Sequence, residues 1–326
     1  MTDMTDMTAH GLPVSHIAAL AAADATRRWL IDGLWSQAAV GIIGGAPKST
    51  KSWMALDMAV SVASNTPCLG TFDVLEPGPA LLYMAEDADA AVRARVTGIC
   101  THRGIDIRAI DLHIITASSL RLDLEQDRKS LSDAVTHLAP RLLVLDPFVR
   151  LHRGDENDAG HISGLLAYLR ELQRQHHLAV VVVHHTRKNS GSAALGQTLR
   201  GSGDFHAWVD SSLYLRRKRD ALNLVVEHRS APAPEPMQLT LAGCDATADV
   251  HLELCDTDRS NDDVPDRDLA TDVLAALSQR PRTRTDLRAH LRVRNERLGS
   301  VLEQLQHQGS VCRNRGVWSA VPVPAP

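Results

Sequence analysis

The nine residues Gly44-Gly-Ala-Pro-Lys-Ser-Thr-Lys-Ser52 follow an apolar run, Val40–Ile43, and open a helix-patterned stretch, Ser52–Ser64. A strand that turns through small residues into a helix N-terminus gathers backbone N–H groups around an anion. This is the context a phosphate-binding loop requires. Gly45, Ala46, Pro47, Lys48, Ser49 and Thr50 would form the cradle. Lys51 would carry its ammonium to the β- and γ-phosphates, and Ser52 would offer its hydroxyl to Mg²⁺. ATP and Mg²⁺ are the ligands expected. Thr50 stands where the pattern G-x-x-x-x-G-K-S has its second glycine. A left-handed backbone there would cost a β-branched residue about 1–2 kcal/mol. Lys48 is either a further cation beside the phosphates or a solvated side chain.

Two other apolar runs end in acid. Leu142-Leu-Val-Leu-Asp146 would place Asp146 at the carboxyl end of a buried strand, on Mg²⁺ or its water. Leu81-Leu-Tyr-Met-Ala-Glu86-Asp87 would place Glu86 where a carboxylate can orient and deprotonate water. The plainer reading of Glu86 and Asp87 is favourable charge at a helix N-terminus. A third run, Val180–Val183, closes on His184 and His185. A strand-terminal histidine beside a γ-phosphate could sense hydrolysis, and His185 is the preferred member of the pair.

Cations crowd the segments that leave these strands. Residues 148–164 carry Arg150 and Arg153, and residues 186–203 carry Arg187, Lys188 and Arg200. Long loops inside compact domains are usually functional or disordered. These loops either line a nucleic-acid channel or form a solvated lid. Arg200, Arg216 and Arg217, with Lys218 and Arg219 beside them, are candidates for an arginine finger reaching a neighbouring subunit's site. For the run 216–219 a solvated surface is the competing reading.

These residues need a scaffold that brings strand ends together. Residues 27–243 alternate apolar runs with amphipathic stretches, including Ala88–Arg103 and His161–His176. Strand–helix alternation predicts a mostly parallel sheet with helices on both faces. Near-continuous Val, Leu and Ile predict strands buried on both sides. Residues 1–26 read as a flexible tail, residues 231–264 as a strand or two and then an acidic linker, with 244–264 assigned to the linker, and 321–326 as a frayed end. Residues 245–263 hold seven acids against one base. Residues 265–320 predict a small second domain of three helices and a hairpin around Asn314-Arg-Gly316, a winged-helix-like pattern with Thr285 capping its second helix. Ten bases against six acids give that segment a net charge of +4. Arg294, Asn295 and Arg297 begin its third helix, where helix-turn-helix readers contact bases, and Arg313 and Arg315 on the wing could hold phosphates. Protein docking is the other use of such a module.

Composition narrows the classes further. Hydrophobic residues make up 44% of the 326 residues and charged ones 23%, which suits a folded soluble chain. No apolar stretch is long enough for a membrane span. The first residues lack the pattern of a secretory signal. The five cysteines are scattered without metal-ligand spacing, so a cytoplasmic setting is expected. The net charge of −4 excludes a wholly basic nucleic-acid binder and confines any such contact to local patches.

The order of motifs carries a resemblance. Lys51-Ser-Trp-Met-Ala-Leu-Asp57 is followed by Tyr83-Met-Ala-Glu-Asp87, then Leu145-Asp-Pro-Phe-Val-Arg-Leu-His-Arg-Gly-Asp-Glu-Asn157. Val183-His-His-Thr-Arg-Lys188 and Leu199-Arg-Gly-Ser-Gly203 complete the series. Over residues 27–230 this resembles the RecA-like ATPases of the plasmid RepA type, the small hexameric replicative helicases. The resemblance implies Lys51 and Ser52 on nucleotide and Mg²⁺, Glu86 as catalytic base, Asp146 on the metal and His185 as sensor. It also implies a homo-hexameric ring with nucleotide between subunits and single-stranded DNA in the channel. Asp210 stands near the place of the family's arginine finger, so either another arginine serves or hydrolysis is weak. The C-terminal segment lies outside the resemblance and suggests a module for duplex DNA or a partner. The expected function is ATP-driven translocation on, or unwinding of, DNA during plasmid or mobile-element replication. The rival readings are a nucleotide-switched DNA-binding regulator of replication or transcription with slow turnover, and a RecA-type recombination or repair accessory.

Overall fold

The computed structural model describes residues 14–19, 29–155, 158–185, 202–218, 221–243, 249–255, 269–291, 293, 295–314 and 317–321. Two compact units divide the chain, residues 1–254 and 255–326.

The first unit opens with a single 3-10 turn, Ile17–Ala19, and a short antiparallel pair, β1 (Trp29–Ile31) and β2 (Trp35–Ser36). There follow β3 (Val40–Gly45), α1 (Lys51–Ser64), β4 (Ala80–Met84), α2 (Asp89–Arg103), β5 (Leu112–Ile114), α3 (Glu125–Leu138) and β6 (Leu142–Asp146). The unit continues with α4 (Ala159–His176), β7 (Ala179–His185), α5 (Ser202–Trp208), β8 (Ser211–Lys218), β9 (Ala221–His228), β10 (Met237–Ala242) and β11 (His251–Cys255). Strands β3 to β11 form one nine-stranded sheet in the order β11-β10-β9-β8-β3-β7-β6-β4-β5. Neighbours from β8 to β5 run parallel, whereas β8 with β9 and β9 with β10 are antiparallel. The parallel part has a simple cause: a helix-containing crossover joins each strand from β3 to β8 to the next.

Every residue of β3, β4 and β6 is buried, because helices cover both faces. Ile43, Leu82, Val144, Val181 and Leu213 pack beneath α1 and α2. Ile42, Leu81, Leu143, Val182 and Tyr214 pack beneath α3, α4 and α5. This alternation within each strand follows from the two-residue pleat, and it later decides which strand-terminal side chains share a face.

Two expectations need correction. The first domain was expected to end at residue 243, with a linker over 244–264. Instead β11 lies inside that span and extends the sheet. Leu252 is the reason, since it joins the core beneath α1 and α2. Helix α3 was not expected at all. Its sequence, Glu-Gln-Asp-Arg-Lys-Ser-Leu-Ser-Asp-Ala-Val-Thr-His-Leu, buries only Leu131 and Val135, so the apolar stripe is thin.

The second unit contains α6 (Leu269–Gln279), β12 (Arg282–Thr283), α7 (Arg284–Leu291), α8 (Asn295–His307), β13 (Val311–Asn314) and β14 (Val317–Ala320). Its strands form an antiparallel sheet in the order β12-β14-β13. Val273, Leu287, Leu298, Leu302 and Trp318 build its core. Thr283, not Thr285, caps the start of α7. Its hydroxyl accepts from Asp286 N at 3.1 Å, and its own N–H donates to the Asp286 carboxylate at 3.2 Å. This reciprocal pair satisfies two orphan donors of the helix start. Among the described residues, no helix is long and apolar enough to cross a membrane.

Candidate active site

The phosphate-loop residues leave β3 at the carboxyl edge of the sheet. Gly45 is opposite His185 of β7 on one side and Leu215 of β8 on the other. A Cβ on Gly45 would lie 2.5 Å from Ser49 Oγ and 2.6 Å from the Leu215 carbonyl oxygen, so only glycine fits where the loop turns. Lys48 and Thr50 both have left-handed backbones, with φ of 64° and 62°. Thr50 therefore adopts the conformation for which the motif ordinarily uses glycine. It occupies the N-cap of α1 without a side-chain cap, and its hydroxyl donates to the Ser49 carbonyl at 2.6 Å.

Lys51 begins α1 and is buried, its amine donating to the Ala46 carbonyl across the loop at 2.8 Å. Burial pulls this amine down to about 8, against the attraction of Asp146 and Glu86. Asp146 ends β6 and is 6% exposed. Burial raises its carboxyl to about 6, although the Ser52 hydroxyl, donating to it, acts the other way. The Oδ2 atom of Asp146 is buried without a hydrogen-bond partner. A serine hydroxyl beside a carboxylate that has a buried, unpartnered oxygen is a hard, oxygen-only donor pair, which suits Mg²⁺. Among the described residues no group of three His, Cys, Asp or Glu forms a metal cage.

The sheet brings the other predicted residues to the same edge. Met84 is opposite Asp146, and Glu86 follows two residues beyond β4. Glu86 is half exposed and accepts from Arg150 Nε at 2.9 Å. Its neighbour Asp87 takes a different partner, accepting from Arg95 at 2.6 and 3.0 Å. In β7, Val181 and Val183 face α1, so the pleat puts His185 on the α1 side with the phosphate loop. His184 turns to the other face, 2% exposed, with Phe148 and Phe205 against its ring. The same rule separates the arginines of β8. Leu213 and Leu215 face α1, so Arg217 falls on the phosphate-loop side and Arg216 on the side of Tyr214. Both are exposed.

Asp210 is not at this edge. It lies at the opposite end of the strands, accepting from Val40 N at 3.2 Å and from Arg170 at 2.5 and 3.2 Å. The nearby Arg229 guanidinium is 3.6 Å away.

Arg153 is exposed on the segment after β6, its backbone N–H donating to Asp123 at 3.3 Å. Arg187, Lys188, Arg200, Arg294 and Arg315 lie outside the described residues. Asn295 and Arg297 begin α8, but their side chains also lie outside them. Arg313 is exposed on β13, over the Trp318 ring at 5.7 Å.

Sequence reasoning missed the ion pair that seats α1. Asp57, 2% exposed, forms an ion pair with the Arg103 guanidinium of α2 at 2.8 Å and accepts a hydrogen bond from Leu69 N at 2.8 Å. Asp57 was the available signal, being the one charged residue in α1 beyond its first position.

Among solved structures, a DnaB-like replicative helicase, described with its interactions with primase, superposes on this chain with a TM-score of 0.51 at 13% identity. The match covers 66% of this chain and spans 57% of the helicase chain, and at that identity it shows the fold alone. The sheet order, the helices on both faces and the phosphate loop at the carboxyl edge are those of a RecA-like P-loop ATPase fold. The sequence profile described as AAA domain matches residues 8–191, more than half of the chain, and the chain belongs to that family.

Proposed function

We propose that this protein is a RepA-type ATPase that couples hydrolysis of Mg-ATP to movement on single-stranded DNA in replication, working as a homo-hexameric ring in the cytoplasm. The observation that carries the reading is the set of Lys51, Ser52, Glu86, Asp146 and His185 at one edge of a parallel sheet. Ligands of open α/β sheets bind at the carboxyl edge. Backbone N–H groups of residues 45–50 and the N-terminus of α1 would hold the phosphates, with Lys51 turning from the Ala46 carbonyl to the β- and γ-oxygens. Ser52 and Asp146 would hold Mg²⁺, which when bound supplies charge neutralisation for the phosphates. Glu86 would accept a proton from the attacking water. His185 would contact the γ-phosphate and relay its loss to the segment that follows β7. Arg217, on the phosphate-loop side of β8, is the better finger candidate of the two described, and would act on a neighbour's nucleotide.

The second unit supports an added role. Three helices with a three-stranded antiparallel sheet suit a winged-helix module. Arg294, Asn295 and Arg297 would then read duplex DNA, with Arg313 and Arg315 on its phosphates. Its net charge of +4, over residues 265–320, favours that use over protein docking.

The reading is tested by sedimentation of the full chain with a fluorescent oligo-dT strand, with and without a non-hydrolysable ATP analogue and Mg²⁺. A ring-sized complex that holds the strand only with nucleotide is expected. A monomer indifferent to both would refute the ring and the DNA channel together.

A further inference from the structure

The segment after β6 holds its backbone firmly and leaves one side-chain head available. Pro147 leads into a single 3-10 turn, Phe148–Arg150, in which Arg150 N donates to the Pro147 carbonyl at 3.1 Å and Leu151 N to Phe148 at 2.9 Å. Phe148 and Leu151 are fully buried on either side of that turn. Leu122 N donates to the Leu151 carbonyl, and Arg121 donates to the Arg150 carbonyl at 2.6 Å. The main chain of Arg150 is thus held at both its N–H and its carbonyl, with Leu151 beside it held likewise, while the Arg150 side chain is 56% exposed.

The guanidinium meets Glu86 through Nε alone, at 2.9 Å. Among the described residues its two Nη atoms make no protein hydrogen bond, so the fork that suits a phosphate remains open. Glu86 is 46% exposed, and its Oε1 is the atom engaged. The contact leaves Oε2 able to accept from water, so what Arg150 restrains is the orientation of the carboxylate.

We propose that Arg150 is a positioning residue that couples nucleic-acid binding to hydrolysis: it holds Glu86 in a resting orientation until a backbone phosphate of single-stranded DNA takes the guanidinium. The inference rests on the reading of Glu86 as the base. A half-exposed ion pair biases an equilibrium by no more than about fivefold. That is weak enough for a bidentate phosphate contact to displace, and strong enough to register in turnover.

The experiment measures ATP turnover by the full-length wild type, Arg150→Gln, Arg150→Lys and Glu86→Gln, each with and without oligo-dT. Arg150→Gln should raise the DNA-free kcat by about two- to fivefold with KM for ATP unchanged, and should respond little to oligo-dT. Arg150→Lys, which keeps the charge but not the fork, should retain part of the response. A merely structural role would instead lower both rates or move KM. If the wild type responds to oligo-dT and Arg150→Gln responds by the same factor, the coupling role is overturned while the function stands. If Glu86→Gln turns over like the wild type, the reading of the base falls, and the coupling role falls with it.

Discussion

Gly45 and His185 are register partners at the carboxyl ends of β3 and β7, and Val183, two residues earlier, packs beneath α1. That register determines which member of the histidine pair the phosphate loop receives. His185→Asn should lower turnover at least about tenfold through loss of a γ-phosphate contact, with the fold intact. His184→Ala should instead destabilise the first unit by about 2 kcal/mol, because it empties space beside Phe148 and Phe205. Steady-state hydrolysis and urea unfolding of the two variants separate these roles. Equal kinetic losses with no change in stability would reverse the assignment.

Thr50→Gly removes a β-branched residue from a backbone at φ 62°, ψ 21° and forfeits no helix cap. Relief of about 1–2 kcal/mol of left-handed strain outweighs the roughly 0.5–1 kcal/mol of added chain entropy that glycine brings. The variant should be more stable by up to about 1.5 kcal/mol, read from the urea midpoint. Thr50→Ala keeps the left-handed penalty and should gain less.

Asp146 makes the nucleotide-free protein pH-sensitive. Its folded carboxyl, raised to about 6 by burial, binds a proton more tightly than the unfolded one at 3.8. The stabilisation is therefore complete below pH 3.8 and lost as pH rises through 6. The full span corresponds to about 3 kcal/mol. Lys51 is lowered from 10.5 to about 8 by burial, so stability should recover as pH rises from 8 towards 10.5. Asp146→Asn should flatten the change between pH 4 and 6 and abolish Mg²⁺-dependent hydrolysis. Thermal melts across pH, without nucleotide, provide the check.

Much of the site was legible because its local signals are strong. An apolar strand followed by Gly45, Lys51 and Ser52 specifies its own turn, and Asp146 ends an unbroken apolar run. Contacts between distant segments were not legible. Arg150 and Glu86 are 64 residues apart, and each was read with no sign of the other. A strand or two was expected over residues 231–264, but β11 falls inside the span assigned to the linker because its Leu252 sits among acids. Helix α3 was hidden because two buried side chains do not make a visible stripe. Asp210 was read only as a missing arginine, whereas its role lies in tying Val40 to Arg170.

Asp210→Ala follows from that last point. It leaves Arg170, 21% exposed, without its carboxylate and removes the acceptor of Val40 N. A loss of about 2 kcal/mol in stability is expected, with turnover per folded molecule preserved because the residue is at the far end of the strands. A specific loss of turnover in a stably folded variant would return Asp210 to the catalytic machinery.

The most direct measurement is steady-state ATP hydrolysis by the full chain in Mg²⁺, with and without single-stranded DNA, with Lys51→Ala as the blank. The account predicts hydrolysis that the strand accelerates and that Lys51→Ala reduces by at least about a hundredfold. A rate unchanged by DNA, or one that survives Lys51→Ala, would contradict it.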